Sequence, residues 1–140
     1  MLLVRVVFCL VLTCSLLLSC VEMTSVLQRM LAEKVWCVVG SHGRNPICER
    51  LVSKLSSQDK IVHTINPRGG GLAALKDLSP LPEVINLVVN PQLGPSVVTE
   101  MNDHKISMLF VQPGAEFEGM EDLCREYGID LYRGCVLIDS

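Results

Sequence analysis

The sequence predicts an α/β fold: one parallel sheet with helices packed on both of its faces. Three observations lead there. Runs such as "VWCVV" (35–39) and "VINLVV" (84–89) are almost wholly apolar, and strands without a polar face are buried on both sides. Other segments place their apolar residues at helical spacing. The two kinds alternate along the chain, as parallel strands joined by helical crossovers require. The 140 residues suit one such domain.

Residues 1–22, "MLLVRVVFCLVLTCSLLLSCVE", stand apart. They carry Arg5 near the start and then an apolar run from Val6 to Leu18. This is either a signal-like apolar segment or an upstream extension ahead of a start at Met23. A membrane anchor is a third reading, although a span normally takes about 20 apolar residues. The domain is expected over 23–140. It opens with a short helix capped by Thr24 or Ser25, with Leu27, Met30 and Leu31 on one face. A strand follows at 35–39. A helix over 47–57 has Ile47, Leu51, Val52 and Leu55 as its apolar stripe. "IVHTI" (61–65) is β-branched and ends at Asn66-Pro67. The stretch 67–82 is irregular, with three consecutive glycines, and "LAALKDL" makes at most two helical turns. A strand over 84–89 ends at Asn90-Pro91. A helix is expected over 94–104 with Pro95 in its first turn. A strand over 107–111 ends at Gln112-Pro113-Gly114. A helix covers 116–128 with Gly128 as its C-cap. A final strand region covers 129–138, bent near Gly134.

Composition removes several classes of function. The net charge is −3, aromatics are few and no Lys/Arg run exists, so there is no nucleic-acid footprint. Seven cysteines form no C-x-x-C, and the three histidines lack ligand spacing, which argues against zinc. Cys37 in a strand and Cys124 on a helix read as small buried thiols in a reducing compartment. Glu116, Glu118, Glu121, Asp122 and Glu126 read as a solvated helix face, and Trp36 as core.

Ligands of such sheets sit beyond the carboxyl ends of the strands. Those ends carry Gly40-Ser41-His42-Gly43-Arg44-Asn45-Pro46, Asn66-Pro67-Arg68, Asn90-Pro91-Gln92 and Gln112-Pro113-Gly114, with no carboxylate among them. In the first turn, Gly40 allows a close turn, Ser41 offers a hydroxyl, Arg44 a bidentate contact, and the helix start its N–H groups. That is a phosphate site, or an ordinary strand-to-helix turn; spacing alone does not separate them. At the second end an NAD site would carry Asp or Glu for the ribose hydroxyls. Here stand Asn66, Pro67 and Arg68, which suit a ribose bearing a phosphate, as in NADP or coenzyme A. The plain alternative is a solvated loop arginine. No catalytic set is evident. Ser41 and His42 are neighbours without an acidic orienter, so His42 reads as a loop histidine. His63 and His104 read as structural or solvated. Cys135 beside Arg133 is a thiol candidate only.

Taken in order, "VWCVVGS…NP" (35–46), "VHTINPRGGG" (62–71), "LSPLPEVINLVVNP" (78–91), "MLFVQPGAE" (108–116) and "EYGIDLYRGCVLID" (126–139) resemble the small single-domain CoA-binding proteins. Their fold is similar to the N-terminal CoA-binding domain of the succinyl-CoA synthetase α subunit. The resemblance covers residues 24–139. It implies a Rossmann-like three-layer α/β/α fold with five to six strands in the order 3-2-1-4-5-6. It implies CoA across the first turn: Gly40, Ser41 and Arg44 by the pyrophosphate, and Asn66, Pro67 and Arg68 on the adenosine side. Asn90 and Pro91 would flank the first turn, with Gln112 and Gly114 along the pantetheine path. Family members have a longer segment after the second strand, holding a short edge strand; here "RGGGLAAL" is shorter, and that strand is expected to be the one lost. Asn90 stands where Arg is common, and Asn86 where Asp is.

The function so implied is binding of CoA or acyl-CoA without catalytic machinery, as a sensor or regulatory protein. The alternatives are an NAD(P)-binding redox-sensing module, an enzyme with CoA-handling thiol chemistry at Cys135, and a scaffold that has lost its ligand. The location expected is the cytoplasm or an organellar matrix, or the secretory pathway if residues 1–22 act as a signal peptide. Membrane attachment is expected only if residues 1–22 are retained.

Overall fold

A computed structural model describes residues 25–69 and 74–140. The readings made for residues 1–22 lie outside this range. Among the described residues, no helix is long and apolar enough to cross a membrane.

Five parallel strands form one sheet: β1 (Val35–Gly40), β2 (Ile61–Ile65), β3 (Val84–Val88), β4 (Met108–Val111) and β5 (Asp130–Arg133), in the order β2-β1-β3-β4-β5. A helix over 25–32 (α1) precedes β1. Four more follow: α2 (Pro46–Ser56), α3 (Gly94–Asp103), α4 (Met120–Tyr127) and α5 (Val136–Asp139). Strand alternation splits β1 between two cores. Trp36 and Val38 join Val84 and Phe110 under α1, α2 and α5, through Met30, Leu51, Leu55 and Val136. Cys37 and Val39 join Ile85, Leu87, Leu109 and Val111 under α3 and α4, through Val98, Met101, Met120 and Cys124. The result is the two-sided parallel sheet that the apolar strands predict, Rossmann-like as the resemblance implies.

The order departs from six strands at one edge. Among the described residues nothing pairs with the outer side of β2, which is half-exposed, with Ile61 50% accessible. The remaining five keep the implied sequence of neighbours. An edge strand contributes one ladder instead of two, so its loss leaves the rest of the sheet intact.

Between β2 and β3 the described residues hold one 3-10 turn, Leu75–Asp77, within the two helical turns allowed for that stretch. Two element boundaries differ from expectation. Helix α4 starts at Met120, not near 116, because Gly119 at its N-cap takes φ 77° and turns the chain; Gly128, at φ 66°, closes it as expected. The strand region over 129–138 ends at Arg133. Beyond Gly134, residues Val136–Asp139 form a helical turn, secured by the Asp139 carboxylate accepting the Cys135 N–H at 2.8 Å. A short apolar run such as "CVLI" carries no period that separates strand from helix.

Register brings Gly40, Val88, Val111 and Arg133 to one edge of the sheet: Gly40 lies beside Val88, Leu87 beside Val111, and Val111 beside Arg133. The chain leaves β1 toward β2 on one side and returns to β3 on the other. The switch point is therefore between β1 and β3, at the carboxyl edge.

Candidate ligand site

Three corners at this edge have the same construction. Asn45-Pro46, Asn66-Pro67 and Asn90-Pro91 each place a proline after an asparagine. In each, the asparagine Oδ1 accepts the N–H two residues on: Ile47 at 3.0 Å, Arg68 at 3.2 Å and Gln92 at 3.0 Å. Proline has no N–H and fixes its own φ, so the next free donor falls to the asparagine side chain. The corners are thus held locally.

Two cavities open between these corners. The first, of about 770 Å³, lies over the ends of β1 and β2. Its walls include Ser41, His42, Arg44, Asn45, Asn66 and Arg68. Arg44 and Arg68 are exposed, and among the described residues neither forms an ion pair. Glu49 accepts the Gly43 N–H at 3.3 Å. His42 donates from Nε2 to the Val38 carbonyl at 2.9 Å, which leaves its buried Nδ1 without a hydrogen bond, 3.5 Å from the Glu49 carboxylate. The cavity therefore offers two free guanidinium groups, a hydroxyl and side-chain amides.

The second cavity, of about 450 Å³, lies over the ends of β3 and β4 and reaches α5. Its walls are mostly apolar: Ile47, Val88, Pro91, Pro113, Ala115 and Leu137 among them, with Asn90, Gln112, Gly114 and Cys135 adding the polar atoms. Gln112 is almost fully buried, and its amide N–H donates to Asn86 Oδ1 at 2.9 Å. Gly114 makes the turn at φ 89°. Asn45 belongs to both cavities, so the polar and apolar halves share a wall.

Eight of the ten residues proposed from sequence line one cavity or the other. Ser41, Arg44, Asn66 and Arg68 lie on the first; Asn90, Pro91, Gln112 and Gly114 on the second. Gly40 and Pro67 line neither. Gly40 is buried as the last residue of β1, where an added Cβ would meet Cys48 Sγ at 2.6 Å and Val88 Cβ at 3.3 Å. Its role is to let α2 pack close to the sheet. Pro67 serves to rigidify its corner. The N–H groups expected at the start of α2 are already taken: Ile47 by Asn45 Oδ1 and Cys48 by the Asn45 carbonyl at 3.0 Å. An anion here is left to the side chains.

Sequence reading missed three contributors. Asn45 stood in the first turn without a role, though its Asn-Pro form matched the other corners. Ile47 was placed in the core stripe; it is 44% accessible, and Cys48 takes the buried position. Leu137 was assigned to a strand, as was the thiol candidate Cys135; both line the second cavity with Gln112. Arg133, beside Cys135 in sequence, is paired with Glu121.

Comparison with known proteins places this geometry. The model of the CoA binding domain family matches residues 34–140. The chain belongs to that family. A search of curated proteins found no match. Among solved structures, this CoA-binding domain is similar to a hypothetical protein from Pyrococcus horikoshii (TM-score 0.73, 15% identity, covering 84% of this chain and 88% of that one). It is similar to a conserved hypothetical protein from Pyrococcus furiosus (TM-score 0.68, 23% identity, 77% and 100%). It is also similar to a Thermus thermophilus protein (TM-score 0.70, 19% identity, 81% and 92%). At these identities the likeness concerns the fold.

Proposed function

We propose that the domain binds coenzyme A or an acyl-CoA as a sensor or regulatory module, with no catalytic machinery of its own. The observation that carries this reading is the pairing of the two cavities across Asn45. One is polar and holds two arginines that form no ion pair among the described residues; the other is apolar with a few hydrogen-bonding atoms. CoA has that asymmetry: a nucleotide end with a pyrophosphate and a 3′-phosphate, and a long, mostly neutral pantetheine arm. In this reading Ser41 and Arg44 hold the pyrophosphate, and Asn66 and Arg68 take the adenosine end with its 3′-phosphate. The arm runs past Asn90, Gln112 and Gly114. The absence of a carboxylate after β2 supports a phosphorylated ribose over NAD. A cytoplasmic or organellar-matrix location belongs to the same proposal, since CoA is scarce outside cells.

Calorimetric titration of the full chain with CoA, dephospho-CoA, NADP and NAD tests it. CoA is expected to bind best and to weaken about tenfold or more without its 3′-phosphate, the scale of one charge-assisted contact. Equal affinity for CoA and dephospho-CoA removes Arg68 as the phosphate reader. Failure of CoA to bind leaves the scaffold reading.

A further inference from the structure

His42 stands in the wall of the polar cavity, and its hydrogen bonding is incomplete in a specific way. The side chain is only 13% exposed. Its Nε2 lies 2.9 Å from the Val38 carbonyl. A carbonyl cannot donate, so Nε2 carries the proton, and in the neutral ring Nδ1 is a bare acceptor. That Nδ1 is buried and has no hydrogen bond. Facing it, 3.5 Å away, is a carboxylate oxygen of Glu49 on α2, which is an acceptor too. Two acceptors are thus opposed with no proton between them. One proton on Nδ1 turns this contact into a charge-assisted bond from N–H to carboxylate.

The same proton adds a third positive charge to a wall that already holds Arg44 and Arg68. Among the described residues, Glu49, Arg44 and Arg68 are the charged groups set around this ring, and β1 contributes the neutral Val38 carbonyl. On α2 the neighbouring Cys48 thiol is raised by burial and then by Glu49, so it stays uncharged. In the empty cavity these influences oppose one another: Glu49 favours the proton and the two guanidinium groups disfavour it. A bound anion tips the balance, because a nearby negative charge favours the charged form of an imidazole. Imidazole is also the side chain that changes charge between about pH 5 and 8.

Resting on the CoA reading, we propose that His42 links ligand binding to protonation: a phosphate-bearing ligand enters the polar cavity together with a proton on His42 Nδ1, which Glu49 accepts as a hydrogen bond. The proton comes from solvent and returns there when the ligand leaves; no other bond is made or broken. His42 acts on the ligand through its charge, since both ring nitrogens are engaged with the protein. Reciprocity fixes the sign. A ligand that favours the protonated ring takes up protons on binding, and it binds more tightly as pH falls. The site thereby holds its ligand more firmly in acid-shifted surroundings and releases it as pH rises.

The test is calorimetric titration of the full chain with dephospho-CoA from pH 8 to 5.5, in two buffers of different ionisation enthalpy. Dephospho-CoA is the probe because its pyrophosphate diester keeps its charge over this range, whereas a phosphate monoester such as the 3′-phosphate of CoA titrates near pH 6. Binding about tenfold tighter at pH 5.5 than at pH 8 is expected, the scale of one shifted titration, with net proton uptake between these limits. His42→Gln should flatten the profile. Glu49→Gln, at a side chain 60% exposed, should shrink it, since the amide can donate to Nδ1 without a proton. A flat profile in the unsubstituted chain overturns the proposal, and so does a slope that survives undiminished in His42→Gln. Ring nitrogen NMR shifts of the unsubstituted chain, assigned with His63→Gln and His104→Gln, read the same event should His42→Gln fail to fold or dephospho-CoA bind too weakly. Saturation with CoA should put a second proton on His42 at a pH where the free chain lacks it; a ring that stays neutral overturns the proposal. CoA that binds with none of these proton effects sinks this inference alone. CoA that does not bind at any of these pH values sinks the underlying reading and this one with it.

Discussion

The two cavities are neighbours at one sheet edge, but they are built differently. The polar cavity is walled by loop residues after β1 and β2, with exposed side chains held at local Asn-Pro corners. The apolar cleft needs the ends of β3 and β4, the start of α2 and the α5 turn to converge. The first is therefore a set of charges on short turns, tolerant of change in stability and sensitive in affinity. The second is an extension of the core, and its walls also serve packing. The difference suggests that charge decides which end of a ligand enters where, and that core packing decides whether the long arm has a path.

Four substitutions or conditions would break or sharpen that contrast, beginning with the largest effect. Arg68→Glu should weaken CoA by about 100-fold, since a charge-assisted contact is replaced by repulsion. It should weaken 3′,5′-ADP similarly and leave the thermal midpoint unchanged, because Arg68 is exposed; calorimetry and thermal unfolding read both. Gly40→Ala should destabilise the fold by about 1–3 kcal/mol, the usual cost of overpacking, because its Cβ would press on Cys48 and Val88. Denaturant unfolding checks it, and a neutral result would show that α2 can retreat from the sheet. Ile47→Ser should weaken CoA by about fivefold, in keeping with roughly 1 kcal/mol of apolar contact, and leave 3′,5′-ADP unaffected. Equal losses for both ligands would mean that the halves are not separate.

The smallest effect concerns pH and lies at the opposite edge of the sheet. The Glu83 carboxylate accepts the N–H groups of Val35 at 2.9 Å and Lys34 at 3.0 Å, and chiefly the Val35 bond holds it below its ordinary value of 4.5. A carboxylate lowered on folding stabilises above its unfolded value and stops doing so as pH falls through its folded value. Neighbouring Glu33 is pushed up, by burial first and then by Glu83, and acts in the other direction. Both are largely solvated, so the net change below about pH 4.5 should stay under about 1 kcal/mol. Thermal midpoints of the chain and of Glu83→Gln, compared from pH 7 to 3, should converge toward acid.

Much of this molecule is written locally. The alternation of apolar strands and amphipathic helices dictates a parallel, two-sided sheet because each strand has no polar face to expose. Asn66-Pro67-Arg68 and Asn90-Pro91 announce their corners through proline's missing N–H and asparagine's short acceptor, whatever lies around them. The motif order carried the family. Other features had no local signal. Ile47 and Cys48 both fit the helix stripe, and only the docking of α2 against β1 buried Cys48 and left Ile47 at the cleft. "CVLI" fits strand or helix, and only the Asp139 bond to Cys135 turned it. Gly40 looks like a turn glycine in the sequence, yet it is the nearness of Cys48 and Val88 that forbids a side chain there. Spacing along the chain fixes what is near in sequence. Which side chains from β3, β4, α2 and α5 share one cleft is set by sheet register and helix packing, and these exist only once the chain has folded.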